Sequence, residues 1–428
     1  MSDNNQIKIA PDRTLVDNPL DVQLSGFSPE ENVTVRATTI DSMGITWKSQ
    51  GVYKISSSGK VDLNIQAPIS GTYNVADPMG LISSMAPTDE VNHNVMFTPP
   101  ADLSPQTVTI AVLLDSEVIA SAQAERLYQA DGVKRIVVRE QGLYGSLFLP
   151  QSGGPYPTIT LLSGSGGGLP EHDAALYASH GYAALALAYF NYEKLPKSLV
   201  GIPFEYFEET INYLQSRDDI DNGRMAISGR SRGGELSLLL GSIFPQYKAV
   251  IADAPSNIVW GSYAEGQKPA WLYKGEPIPY MDVPPDPDIY ASRAEYAKRG
   301  EAIPLTPGFL ETMRRNAATM KKAEIPVEKI NGAVLMISGE DDQMWPSTQF
   351  ATLVMNRLKA YNFNKPFFHL SYPQAGHMIK APYIPTTIVN MKHPVIGELY
   401  ALGGKPDANH QAGVDSWREK LKFLNTYL

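Results

Sequence analysis

One serine of the sequence stands where its hydroxyl could act as a nucleophile. Ser231 is the centre of the run Gly229-Arg230-Ser231-Arg232-Gly233, which follows the apolar stretch 225–228 and precedes the leucine-rich stretch 235–240. A strand, a G-x-S-x-G turn and a helix form a strained turn that exposes the serine hydroxyl above the C-terminal edge of a parallel sheet. Without this context the motif is an ordinary strand-to-helix turn, so the context favours a nucleophilic serine.

A carboxylate that could support this serine follows a later strand. A serine hydroxyl needs a base to take its proton, and the base needs an acid to orient it. In a sheet of this type the order along the chain is serine, acid, histidine. The apolar stretch 333–337 is followed by three adjacent acids at 340–342. We expect Asp342 to be the acid because it stands a few residues before Trp345-Pro346, with Asp341 as the alternative.

The base is predicted to be His377, because a glycine followed by histidine stands on a loop after the apolar strand 367–370. The chain has seven histidines. His369 lies within that predicted strand, which favours a packing role. The other five lack the strand-then-loop context: His93, His172, His180, His393 and His410.

Two segments could stabilise the oxyanion that forms when a serine attacks a carbonyl. Such an anion needs N–H donors that are already in place. The first candidate is the backbone N–H of Arg232, directly after the nucleophile. The second lies in the glycine-rich loop 163–168, where Ser165 is the preferred donor and Gly166 the next. This loop could also bind a phosphate, but no G-K-[ST] follows it, so that interpretation ranks lower.

The pattern of strands and helices predicts two domains. Residues 6–127 contain short alternating runs separated by turn signals, which indicates an all-β, immunoglobulin-like sandwich over 1–127. From residue 136 onward strands alternate with helical stretches, which indicates a doubly wound α/β sheet in a domain over 128–428. The segment 260–329 interrupts this alternation. It is either a lid or part of a substrate pocket over the catalytic edge, or an ordinary surface excursion.

Composition limits the classes of protein that the sequence could encode. The 428 residues are 43% hydrophobic and 19% charged, which indicates packed cores rather than disorder. The net charge of −9 offers no overall basic surface to nucleic acid or to an anionic membrane. The absence of cysteine excludes disulfides, thiolate metal sites and a cysteine nucleophile.

The sequence predicts a cytoplasmic protein that needs no metal and no cofactor. Residues 1–5 have neither the basic nor the apolar part of a signal peptide, and no apolar run reaches membrane-spanning length. The sequence carries no signal for an oligomeric state.

Taken together, these residues resemble the acyl-CoA thioesterase and bile acid-CoA:amino acid N-acyltransferase family over nearly the whole chain. The resemblance is carried by these runs: Leu15–Asp17, Asp77–Leu81, Gly166–Leu169, Leu185–Phe190, Tyr192–Pro196, Phe204–Phe207, Asp341–Trp345, and Ala375–His377 followed by Pro382-Tyr383. It implies a β-sandwich before an α/β-hydrolase domain, and the triad Ser231, Asp342 and His377.

The resemblance also implies an activity. Thioesterases of this family use serine and its N-acyltransferases use cysteine, so Ser231 in a cysteine-free chain favours hydrolysis of medium- to long-chain acyl-CoA through an acyl-serine. The alternatives are an acyl-CoA:amino acid N-acyltransferase, a carboxylesterase or dienelactone-type hydrolase, and a binding protein with a vestigial site.

Two further residues are candidates for contact with the substrate, Arg230 and Trp345. Arg230 stands where the family leads us to expect an apolar residue, and Arg232 where it often has lysine. The two arginines could face an acidic acyl group or the phosphates of coenzyme A. They could equally pair with local carboxylates.

Overall fold

The structure is a computed structural model that describes residues 5–89, 93–263 and 268–428. The chain divides into two units. The first is Met1–Gln129 with Lys380–Val389 and Lys405–Val414, and the second comprises Ala130–Ile379, Asn390–Gly404 and Asp415–Leu428. The domain boundary after residue 127 stays a prediction. Residues 1–4, on which the expectation of no signal peptide mostly rests, lie outside the described residues.

The first unit is built from strands. They are β1 (Gln6–Ala10), β2 (Arg13–Leu15), β3 (Asp21–Ser25), β4 (Asn32–Ile40), β5 (Thr46–Lys54), β6 (Val61–Asp62), β7 (Ser70–Gly71), β8 (Ala86–Pro87), β9 (Gln106–Leu114) and β10 (Glu117–Leu127), with one short helix, α1 (Gly80–Ser83). One sheet has the order β1-β3-β6, and the other β2-β10-β9-β4-β5-β7 with β8 beside β5.

The two sheets of this unit share one core. Every second residue of β4 is buried, among them Val33 and Val35, as expected of a strand with one face inward. These side chains belong to the same buried cluster as Leu24 of the first sheet and Trp47 of the second. The alternating pattern in the sequence therefore correctly predicts a β-sandwich.

The second unit contains an eight-stranded sheet with helices packed against it. Its strands are β11 (Lys134–Val138), β12 (Tyr144–Leu149), β13 (Tyr156–Leu162), β14 (Ala183–Ala188), β16 (Ile220–Arg230), β17 (Tyr247–Asp253), β20 (Ala333–Gly339) and β21 (Phe367–Tyr372). Shorter strands of the unit are β15 (Ile202–Pro203), β18 (Trp271–Tyr273), β19 (Glu276–Pro277), β22 (Asn390–Lys392) and β23 (Leu399–Ala401). The helices are α2 (Glu171–Ser179), α3 (Glu205–Gln215), α4 (Arg232–Ile243), α5 (Pro287–Lys298), α6 (Thr306–Arg315), α7 (Ala317–Lys322), a 3₁₀ helix (Val327–Lys329), α8 (Ser347–Ala360) and α9 (Pro406–Tyr427).

The order of this sheet is β11-β12-β14-β13-β16-β17-β20-β21. Neighbouring strands are parallel from β14 to β21, whereas β12 is antiparallel to both of its neighbours. All residues of β14 and β20 are buried, because helices cover both faces of a largely parallel sheet. The α/β class predicted from the alternation of strands and helices is confirmed.

The segment 260–329 carries β18, β19 and the helices α5 to α7, and its residues 264–267 lie outside the described part. Asp286 begins α5, since its carboxylate accepts hydrogen bonds from the N–H groups of Asp288 and Ile289, and proline follows at the first helical position. Apolar side chains of the segment, including Met281 and Met313, pack in one cluster with Trp345. A role as a lid stays a prediction.

Among the described residues, no helix is both long enough and apolar enough to cross a membrane.

Candidate active site

Ser231 occupies a strained turn between β16 and α4. Its backbone has φ 59° and ψ −121°, a conformation that costs a residue with a side chain about 1–3 kcal/mol. The Ser231 N–H donates to the carbonyl of Asp253 on β17 at 2.8 Å, which ties the turn to the neighbouring strand. A Cβ on Gly229 would lie 2.3 Å from the Gly233 carbonyl oxygen, and one on Gly233 would lie 2.4 Å from that of Ser163. Both positions therefore require glycine.

The turn places Ser231 at the N-terminus of α4. Glu235 makes the first intrahelical bond, since its N–H donates to the Ser231 carbonyl at 2.9 Å. The N–H of Arg232 is thus one of the groups that a helix start leaves without an intrahelical partner. The positive end of the helix dipole favours an anion at this position.

His377 and Asp342 are joined by a hydrogen bond. The Nδ1 of His377 lies 2.9 Å from Oδ2 and 3.1 Å from Oδ1 of Asp342, and both side chains are buried. A carboxylate can only accept, so Nδ1 carries the proton and Nε2 is left as the basic nitrogen. The two residues follow β21 and β20, the last two strands of the sheet.

Other donors hold the Asp342 carboxylate in one orientation. Oδ1 accepts from the N–H of Met344 at 2.9 Å and of Trp345 at 3.2 Å, and Oδ2 accepts from the Ser347 hydroxyl at 2.6 Å. The carboxylate of the alternative acid, Asp341, instead accepts from the Gln343 amide in the same turn and from the N–H of the distant Gly404.

A cavity of about 360 Å³ in the second unit borders Ser231. Besides Ser231, its wall includes three further predicted site residues, Ser165, Arg232 and Trp345. Apolar side chains supply much of the remaining lining: Trp260, Met281, Val283, Leu305, Phe309 and Met344. The segment 260–312 thus contributes a large part of this wall.

The glycine-rich loop after β13 passes beside the serine. A Cβ on Gly164 would lie 3.4 Å from the Cβ of Ser231. The carbonyl of Ser165 accepts from the Tyr263 hydroxyl at 2.6 Å, and that of Gly166 from the Asn191 amide at 2.9 Å. Both carbonyls are therefore already paired with protein groups.

The side chain of Arg232 is bound within the protein. Its guanidinium donates to Glu235 at 2.8 Å and to the Trp260 carbonyl at 2.8 Å. Glu235 is buried and also accepts from the Trp271 indole N–H at 3.1 Å. Burial raises the pKa of Glu235 to about 7, although the positive charge of Arg232 opposes the shift.

Arg230 points to a different group of residues. Its guanidinium lies 4.0 Å from the Asp253 carboxylate, which also accepts from the buried Lys420 ammonium at 2.6 Å. Arg230 does not belong to the described residues that line the cavity, whereas Trp345 does. Both arginines thus lie beside local carboxylates, which was the second of the two interpretations of the sequence.

Three residues of this site carry no signal in the sequence. His393 lacks the strand-then-loop context, yet it lines the cavity and its Nε2 lies 2.8 Å from the Ser165 hydroxyl. Tyr263 and Glu235 likewise hold site residues through contacts that no short sequence pattern indicates.

The sheet order, the serine at the turn into α4 and the paired acid and histidine after the last two strands define an α/β hydrolase. Two family models match the sequence, "Acyl-CoA thioester hydrolase/BAAT N-terminal region" over residues 17–140 and "BAAT / Acyl-CoA thioester hydrolase C terminal" over residues 202–428. The chain belongs to this acyl-CoA thioester hydrolase/BAAT family.

Relatives with curated names match almost the full length. The chain is 32% identical to acyl-coenzyme A thioesterase 2, mitochondrial, of Mus musculus, over 99% of this chain and 90% of the relative. It is also 32% identical to acyl-coenzyme A thioesterase 1 of Homo sapiens, over 96% and 94%. Among solved structures, a putative dienelactone hydrolase from Klebsiella pneumoniae has a TM-score of 0.41 and 15% identity, and covers 69% of this chain and 98% of its own.

Proposed function

We propose that this protein hydrolyses acyl-CoA thioesters to a carboxylic acid and coenzyme A, with Ser231 as nucleophile. The observation that carries the proposal is the serine on a strained turn that borders a cavity whose wall includes a group of apolar side chains. An apolar wall favours the acyl chain of the substrate, because burial of each methylene group contributes about 0.8 kcal/mol. The names of the full-length relatives support the same substrate class.

In the proposed mechanism, His377 is the general base and Asp342 orients it. Nδ1 of His377 is bound to Asp342, so Nε2 accepts the Ser231 proton as the hydroxyl oxygen attacks the thioester carbonyl. The carbon–sulfur bond then breaks and coenzyme A leaves. A thiol of pKa about 8.5 needs little help from an acid, so acylation demands less of His377 than amide cleavage would. His377 next activates a water that hydrolyses the acyl-serine.

The oxyanion receives two donors in this proposal. The first is the N–H of Arg232 at the start of α4, where the helix dipole also favours negative charge. The second is an N–H of the loop 163–168, with Ser165 preferred over Gly166. No cofactor or metal takes part.

The finer substrate range is part of the same proposal. Medium- to long-chain acyl groups suit the apolar lining, and Trp345 contributes to that wall. Arg230 has no place in this substrate contact, because it lies beside Asp253. A cytoplasmic site of action is also proposed, on the sequence alone.

Replacement of Ser231 by alanine tests the proposal. We expect free-thiol release from a panel of acyl-CoAs to fall by at least about a thousandfold, because no other group can form the acyl intermediate. Ser242→Ala is the matched control, since this serine lies on the same helix and bonds the Leu239 carbonyl. Retained activity in Ser231→Ala would reject the mechanism.

The same assay separates the other activities considered for the sequence. Mass spectrometry with glycine or taurine present reports any conjugate, which a hydrolase does not make. p-Nitrophenyl esters of the same chain lengths report general esterase activity. A serine-directed fluorophosphonate that fails to label Ser231 would favour a binding protein.

A further inference from the structure

A second histidine, far from His377 in the sequence, borders the cavity with Ser231. His393 follows β22 and is buried, with 3% of its surface exposed. Its backbone is fixed by bonds in both directions, since its N–H donates to the Glu398 carbonyl and its carbonyl accepts from the Gly397 N–H, each at 2.8 Å. The imidazole is therefore presented from a closed turn.

The hydrogen bonds of His393 identify its tautomer. Nδ1 accepts from the backbone N–H groups of Val395 and Ile396, each at 3.2 Å. A ring nitrogen that accepts carries no proton, so in the neutral ring the proton is on Nε2. Burial lowers the pKa of His393 to about 4, so the ring stays neutral near pH 7.

The proton on Nε2 is donated to the Ser165 hydroxyl oxygen at 2.8 Å. Because this oxygen accepts from His393, the hydroxyl's own proton must point elsewhere. Among the described residues, no group accepts that proton, and Ser165 lines the cavity. The preceding residue, Gly164, approaches Ser231 so closely that a Cβ on it would lie 3.4 Å from the Ser231 Cβ. The free O–H thus belongs to a residue that lines the same cavity as Ser231.

We propose that the Ser165 hydroxyl donates a hydrogen bond to the thioester oxygen as negative charge develops on it, and that His393 is the positioning residue that aims this hydroxyl. The proposal rests on the proposed function. It adds a side-chain donor to the backbone N–H groups. An O–H bond to an anionic oxygen is shorter and stronger than one to a neutral carbonyl, so this donor acts mainly in the transition state.

Four variants test the proposal: Ser165→Ala, His393→Leu, His393→Gln and the double variant Ser165→Ala/His393→Leu. We expect Ser165→Ala and His393→Leu each to lower kcat by about 100-fold with little change in KM, at the lower end of the range known for loss of one oxyanion donor. The double variant should be no worse than either single one, because both remove the same bond. His393→Gln keeps an N–H donor near the Nε2 position and should recover most of the activity.

An inhibitor pair adds a readout that a purely structural role would leave unchanged. A long-chain trifluoromethyl ketone forms an oxyanion with Ser231, whereas a thioether analogue of acyl-CoA has no carbonyl. Ser165→Ala and His393→Leu should weaken binding of the ketone by about the same factor by which they lower kcat. Binding of the thioether should weaken by less than about twofold.

A matched control pair of histidine and serine is present in the eight-stranded sheet. His369 Nε2 lies 2.8 Å from the Ser338 hydroxyl, but neither residue lines the cavity. His369→Leu should keep kcat within about threefold of the unmodified enzyme.

Wild-type kcat in Ser165→Ala, or additive losses in the double variant, would overturn the proposal and leave the proposed function intact. Should His393→Leu fail to fold, Ser165→Ala and His393→Gln still decide the question. If the proposed function itself were wrong, the Ser231→Ala variant would remain active.

Discussion

At the scale of single residues, Arg232 has a proposed catalytic role for its backbone N–H and a structural role for its side chain. In the proposed mechanism the N–H at the start of α4 donates to the oxyanion, while the guanidinium binds Glu235 and the Trp260 carbonyl. Trp260 lines the cavity, so the Arg232–Glu235 pair connects the turn beside Ser231 to the cavity wall. A buried pair of this kind is strongly affected by the removal of one partner.

The raised pKa of Glu235 predicts that the stability of the protein depends on pH. Its pKa is about 7 in the folded protein against 4.5 as the ordinary value, so the unfolded chain loses this proton first as pH rises. The raised folded pKa stabilises the protein fully below pH 4.5, and that stability is lost as pH rises through 7. The loss amounts to about 3 kcal/mol, because each tenfold change in proton affinity corresponds to about 1.4 kcal/mol.

Glu235→Gln removes this titration and provides the measurement. We expect the difference in urea midpoint between the wild type and Glu235→Gln to move in favour of the glutamine variant between about pH 5 and pH 8. Glu208→Gln, an exposed position on α3, is the control and should show no such trend. A difference that stays constant with pH would contradict the raised pKa.

At the scale of elements, the turn from β16 into α4 determines where the proposed nucleophile, Ser231, lies. The strand, the strained serine and the helix approach so closely that no side chain fits at Gly229 or Gly233. Packing of α4 against β16 and β17 maintains the strained backbone of Ser231, which would relax in a flexible loop.

Two alanine substitutions on the same strand test this account. A Cβ on Gly229 would lie 2.3 Å from the Gly233 carbonyl oxygen, so Gly229→Ala must displace the turn. We expect it to lower the free energy of unfolding by roughly 3 kcal/mol and thiol release by at least about 100-fold. In Gly223→Ala the nearest atom is an Asp221 carboxylate oxygen at 3.3 Å on an exposed stretch, so both quantities should stay near wild type. Equal effects of the two variants would contradict the role assigned to the turn.

At the scale of the whole molecule, charge governs the encounter with an anionic substrate. The net charge is −9, and the two arginines adjacent to Ser231 in the sequence, Arg230 and Arg232, lie beside Asp253 and Glu235. Their positive charge is therefore partly neutralised within the protein. Coenzyme A carries phosphates, so the overall field of the protein repels it.

Salt should therefore increase the rate of encounter. We expect kcat/KM for an acyl-CoA to rise by roughly twofold between about 0.02 and 0.2 M NaCl, because the Debye length shortens. The N-acetylcysteamine thioester of the same acid is the matched uncharged substrate and should show no comparable change. A fall in kcat/KM for acyl-CoA would indicate a local basic surface that overrides the net charge.

The sequence by itself determined the features that depend on local pattern. Alternation with a period of two predicted the sandwich, and apolar stretches of strand length predicted β16, β20 and β21. Residues directly after those strands reach one edge of a parallel sheet, so Ser231, Asp342 and His377 could be selected without coordinates.

Only the tertiary structure decided which side chains meet over long separations. His393 and Ser165 stand 228 residues apart, and a short hairpin outside the main sheet carries the histidine, so no periodic signal relates them. The positions of Arg230 and Arg232 beside carboxylates likewise depend on how β17, α4 and α9 pack. Hydrogen bonds between distant segments follow from packing in three dimensions, which local propensity does not encode.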